Sequence, residues 1–136
     1  MQLESNPDNI GGQSLRTNKN DKNDNKYIET ILFDDIIPYL PYYNEITKEN
    51  YKKAILKIDI EGSEPEAFKN AFNLFSILDI RVIYMEWYNI KKLHELKVEE
   101  LIDFFIKNDY RVYDNEVLLD LNKWLEWPFN VIWIKK

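Results

Sequence analysis

The sequence predicts an α/β protein: a largely parallel sheet whose last strand returns antiparallel, with helices flanking it. Two runs, Ala54-Ile55-Leu56-Lys57-Ile58-Asp59-Ile60 and Ile80-Arg81-Val82-Ile83-Tyr84-Met85-Glu86, are β-branched and almost continuously apolar. Hydrophobicity that does not alternate is the mark of a strand covered on both faces. Phe68, Ala71, Phe72 and Phe75, and later Val98, Leu101, Ile102 and Phe105, recur at helical spacing. Strands interleaved with helices require crossover connections, and these are right-handed.

The elements follow in order. Residues 1–26 are polar, and Arg16–Lys26 is an Asn/Asp/Lys tract too hydrophilic to bury, so this segment is read as a largely disordered loop. Asn9-Ile10-Gly11-Gly12 follows no buried strand and reads as a simple turn, not a phosphate cradle. From residue 27 the character changes, and 27–136 is read as the folded unit. Ile28–Phe33 predicts a short strand, and Asp34 caps a short helix running toward Pro38. Residues 44–53 form a polar connection. After the 54–60 strand, Ser63-Glu64-Pro65-Glu66 reads as a helix start, with Ser63 and Glu66 as a capping box and Pro65 in the first turn. Residues 98–107 form a second helix. Tyr110–Tyr113 and Asn130–Ile134 form two further strands, stapled to the helices by Trp124, Trp127 and Trp133.

Composition removes several functions. With 136 residues the chain makes one domain. Apolar residues at 45% and aromatics at 15% are too many for a disordered polymer. A net charge of −6 without a basic stripe argues against a nucleic-acid partner. The absence of cysteine excludes disulfides, thiolate metal sites and cysteine nucleophiles. A single histidine, His94 in a polar stretch, excludes a His-rich metal cage and reads as solvated. There is no run of ~20 apolar residues to span a bilayer, and Met1–Asn6 lacks the basic start and apolar run of a secretory signal. The chain as written is expected to be soluble, with its compartment open.

In open α/β sheets ligands bind beyond the carboxyl ends of the strands. Asp59-Ile60-Glu61-Gly62 ends the first apolar strand and Glu86 ends the second. Strand alternation points Asp59 and Glu61 the same way, and Gly62 permits a tight turn or a close ligand. Such carboxylates can orient a hydroxyl, accept its proton, or bind a cation. The competing reading is structural: they end the strand and cap the next helix. No metal is assigned, since two acids without an imidazole give it little support.

Ile55-Leu56-Lys57-Ile58-Asp59-Ile60-Glu61-Gly62-Ser63-Glu64, followed by an Ala/Phe-bearing helix and Val82-Ile83-Tyr84-Met85-Glu86, closely resembles the FkbM-type methyltransferase domain. Thr30–Ile36 and Asn9–Leu15 resemble the segments preceding that motif. The resemblance implies a Rossmann-like class I fold and S-adenosylmethionine-dependent methylation of a hydroxyl on a small molecule or glycan. It places Asp59 and Glu61 as catalytic residues, Asp59 and Gly62 against the cofactor, and Glu64 and Glu86 on the substrate side. It also implies a Gly-rich loop and a ribose-binding acid upstream, and the chain has neither. The expectation is therefore a carboxyl-terminal half containing strands four to seven, inactive alone and a poor binder of the cofactor. The alternative is a non-catalytic, methyltransferase-like interaction or trafficking module of the secretory pathway.

Overall fold

The computed structural model describes residues 30–40 and 53–136, and the backbone pairing of residues 2–6, 9–16, 43–44 and 49–50. Strands β1 (Gln2–Asn6) and β2 (Asn9–Arg16) pair as an antiparallel hairpin. The sequence reading has a loop there, with Asn9–Gly12 as a turn. The overlooked signal is Asn6-Pro7-Asp8-Asn9, a residue set that favours chain reversal. Most of the Asn/Asp/Lys tract lies outside the described residues. Within the expected polar connection, β3 (Tyr43–Asn44) and β4 (Glu49–Asn50) form a second small hairpin.

The main sheet contains β5 (Lys53–Ile58), β6 (Asp79–Glu86), β7 (Tyr110–Asp114), β8 (Val117–Leu118) and β9 (Asn130–Lys135), in the order β5-β6-β9-β7-β8. β5 and β6 are parallel. β9 runs antiparallel to both β6 and β7 and lies between them. The expected antiparallel return of the last strand is present, inserted within the sheet. Among the described residues three α-helices accompany it: α1 (Glu64–Phe68), α2 (Phe72–Ile77) and α3 (Glu95–Lys107). No helix among the described residues is long and apolar enough to cross a membrane.

α3 buries Val98, Leu101, Ile102 and Phe105, the stripe its spacing predicts. Phe105 stacks on Trp133, and Trp133 joins Trp87 and Trp127 in a buried aromatic group. The Trp87 indole N–H donates to the Trp124 carbonyl at 2.9 Å. The tryptophans thus hold the last hairpin to the helices, as expected.

Several local expectations are corrected. Thr30–Leu32 are not a strand, and Phe33–Tyr39 is a 3-10 helix; Ile28 and Glu29 lie outside the described residues. Asp35, not Asp34, closes that helix by accepting the Leu32 N–H at 2.9 Å. The predicted helix after Gly62 is two short helices broken between Phe68 and Phe72, which turns Phe72 outward (66% exposed) and brings Leu74 into the core. Ser63 makes no capping bond; its backbone (φ −91°, ψ 4°) is not the extended form a cap requires, and Glu66 pairs with Lys97 at 2.8 Å instead. Finally, β5 is not covered on both faces: Ile58 is buried, but Ile55 is 77% exposed.

Candidate functional site

The carboxyl ends of the parallel pair β5 and β6 lie side by side, with Ile58 opposite Met85. The segments leaving the two strands therefore emerge at the same edge. β5 stops at Ile58 because Asp59 and Ile60 leave the ladder and Glu61-Gly62 turns the chain. Glu61 has φ 56° and Gly62 φ 93°. Only glycine takes the second value readily, and Glu61 occupies left-handed backbone that non-glycine residues seldom adopt. Space does not select glycine at 62, since a Cβ there would meet Asn89 at an ordinary 3.6 Å. Backbone conformation does.

This turn swings Glu61 toward the end of β6. One oxygen each of Asp59, Glu61 and Glu86 lies within 4.8 Å of the other two. The Asn89 amide nitrogen donates to Glu61 at 2.6 Å and to Glu86 at 3.3 Å. The Lys92 ammonium in turn donates to Asn89 Oδ1 at 2.9 Å and sits 3.5 Å over the Tyr88 ring. Asp59 is half in water and pairs with Lys57 at 3.7 Å, an exposed pair of small energetic weight.

Glu64 is placed differently. It is 1% exposed and its Oε1 accepts the Ile60 N–H at 3.0 Å, fastening the start of α1 to the end of the strand segment. Burial holds its carboxyl above the ordinary range, against the opposing pull of nearby backbone N–H groups, with the Asp59 charge adding to the rise. Glu86 is pushed up to about 7, first by desolvation, then by its contact with Asp59 and by the charges of Glu61, Asp59 and Glu64. Packing several acids at one strand edge makes full ionisation of the group unfavourable.

Asp59, Glu61 and Glu86 come together; Glu64 is buried apart from that group and holds the Ile60 N–H, and Gly62 forms the turn that gathers them. Asn89, which ties the two strand ends, is not singled out by sequence, where it is one amide in a polar connection. His94 is exposed, and its Nδ1 accepts the Leu96 N–H at 3.3 Å to cap α3. A groove of about 320 Å³ between α1, α2 and α3, floored by Phe68, Phe72 and Phe104, contains none of the cluster's residues.

The model of the methyltransferase FkbM domain matches residues 4–112. Comparisons with curated proteins and with solved structures gave no match. The matched segment begins in the first hairpin, covers both strand-end motifs and reaches β7. The chain therefore belongs to the FkbM methyltransferase domain family.

Proposed function

We propose that the protein is a methyltransferase dependent on S-adenosylmethionine, acting on a hydroxyl of a small molecule or glycan, with its working edge at Asp59, Glu61 and Glu86. The observation that carries this reading is the bridge through Asn89, which joins acids from two separate strand ends into one group at the position where α/β sheets bind ligands. The antiparallel last strand within the sheet accords with a Rossmann-like class I arrangement. The donor set suits the methyl donor: carboxylates accept hydrogen bonds from ribose hydroxyls and an ammonium group, and they favour a positive sulfur nearby.

Bound there, S-adenosylmethionine supplies a methyl on a sulfonium, a group open to in-line attack by oxygen. The chain's part is to place the acceptor and to receive a proton. Asp59, the most accessible of the acids, accepts the hydroxyl proton as the oxygen attacks. Glu61 and Glu86, fixed by Asn89, accept hydrogen bonds from neighbouring polar hydrogens and so orient the acceptor. Gly62 lets the backbone turn close to the ligands. Positioning supplies much of the acceleration in such a transfer, and proton removal adds roughly 10²–10⁴-fold.

We further read the chain as the carboxyl-terminal half of the catalytic domain. Among the described residues β5 pairs with β6 alone, and its apolar Ile55 faces water. A further strand laid against β5 would cover this edge. Titration calorimetry separates the two parts of the reading. The isolated chain should bind S-adenosylmethionine more weakly than micromolar, and micromolar affinity would overturn the half-domain assignment. The full-length protein should transfer labelled methyl to a hydroxyl acceptor and lose transfer with Asp59→Asn but not with Glu95→Gln. A folded full-length protein that binds no donor would favour the non-catalytic module.

A further inference from the structure

We propose that the groove between α1, α2 and α3 binds a singly charged anionic amphiphile, a carboxylic acid with an acyl chain of medium length, at a site separate from the acid edge. The hollow holds about 320 Å³, at the small end of the range of small-molecule sites. Phe68 and Leu101 are buried beneath it, Phe104 is half-buried, and Phe72 stands 66% exposed at its side. Phe72 meets Phe104 edge-on at 6.2 Å, and Phe104 meets Phe68 at 5.5 Å, so the three rings make one continuous apolar surface. A ligand laid on that surface takes the Phe72 ring out of water, which favours binding.

The charged rim gives the groove a direction. Glu66 of α1 pairs with Lys97 of α3 at 2.8 Å, and farther along both helices Phe68 lies against Phe104. The two helices therefore run the same way. Lys69 follows Phe68 and Lys107 lies one turn past Phe104, which brings both lysines to one end, while Pro65 and Glu100 mark the other. Glu100 and Lys107 are seven positions apart, about 10.5 Å along a helix, a span that an extended acyl chain of medium length covers. Lys107 shares an exposed pair with Asp103 at 3.4 Å, which is worth little. Among the described residues Lys69 has no ion pair, because the neighbouring acid Glu66 is taken by Lys97. One cation is thus left uncompensated beside an apolar hollow, on a chain whose net charge is −6. A head group with a single negative charge matches it. A partner helix is a poorer fit, since a helix is about 10–12 Å across with its side chains and does not seat in this volume.

Titration calorimetry with decanoate, on the chain without any methyl donor, reads this site directly. One saturable site with a Kd of about 0.1–1 mM is expected. Decyltrimethylammonium, which carries the same chain on a cationic head, should bind roughly fivefold more weakly or worse. Phe72→Ala truncates an exposed ring, so folding should survive, which circular dichroism checks; it should weaken decanoate roughly tenfold. Lys69→Gln should weaken it about threefold, while Lys123→Gln, outside the groove, should leave it unchanged. As a second readout, decanoate should raise the melting temperature of the wild type but hardly that of Phe72→Ala. Heats that never saturate, equal affinity for the cationic amphiphile, or binding unmoved by Phe72→Ala would overturn the assignment. Methyl transfer plays no part in the assay, and Asp59→Asn should bind decanoate as the wild type does, so the groove and the transfer reading stand or fall separately.

Discussion

Asn89 and Glu61, 28 positions apart, are joined by a 2.6 Å hydrogen bond, and the same amide nitrogen reaches Glu86 at 3.3 Å. The end of β5 and the end of β6 are thereby tied by one neutral donor group between two acids. Asn89→Asp replaces that donor with a further carboxylate. Unfolding in denaturant at pH 8 should show a loss of about 1–3 kcal/mol, shrinking at pH 4 as the acids take up protons. An unchanged midpoint at pH 8 would show that the amide does not hold the edge together.

Asp34 accepts the N–H groups of Asn73 at 3.2 Å and Leu74 at 2.9 Å, so it caps α2 from nearly forty residues away. Because Ala71 at the cap position offers no side-chain acceptor, α2 depends on this distant carboxylate. Asp34→Ala should cost about 0.5–2 kcal/mol, read as a lower denaturation midpoint with the slope unchanged. Asp34→Asn, which keeps one acceptor, should cost less than the alanine.

Tyr110 is buried and its hydroxyl donates to the Ile80 carbonyl across the sheet. Desolvation first, then the Asp79 charge, pushes its hydroxyl up to about 12, with Arg81 opposing. The folded state therefore holds this proton more tightly than the unfolded chain. The resulting stability is fully present below the ordinary tyrosine value of 10 and is lost as pH rises through about 12. Tyr110→Phe should be less stable by about 1 kcal/mol at neutral pH. The gap between the two proteins should narrow from about pH 10 to about pH 12, measured by thermal melts across that window.

Ile55 lies 77% exposed on the edge strand β5. Open apolar edges invite pairing with other chains, and a lysine placed there discourages it. Ile55→Lys should lower self-association of the isolated chain in light scattering and shift its stability by no more than about 0.5 kcal/mol. A severe loss of structure would mean that Ile55 is packed.

Much of this molecule is legible in residue order alone. The two apolar runs form β5 and β6, and the Val98-Leu101-Ile102-Phe105 stripe forms the buried face of α3, because burial of a continuous face dominates local preference. The capping motif misleads because a sequence pattern does not specify backbone angles: Ser63 takes a conformation from which its hydroxyl cannot cap. The strand-end acids come together for a partly different reason than alternation supplies. Alternation along a strand would align Asp59 with Glu61, but the strand has ended before either, and the positive φ at Glu61 and Gly62 does the gathering. Asn89 and the Asp34 cap leave no trace in local sequence because each joins segments distant along the chain.

Central to the proposed chemistry is that Asp59 and Glu86 work as one group, and a double-mutant cycle on methyl-transfer rate in the full-length protein tests this most directly. If they share one acceptor, Asp59→Asn and Glu86→Gln together should cost little more than the worse single change, since residues acting as a unit are strongly non-additive. Losses that simply multiply would place the two acids in separate roles and contradict a shared site.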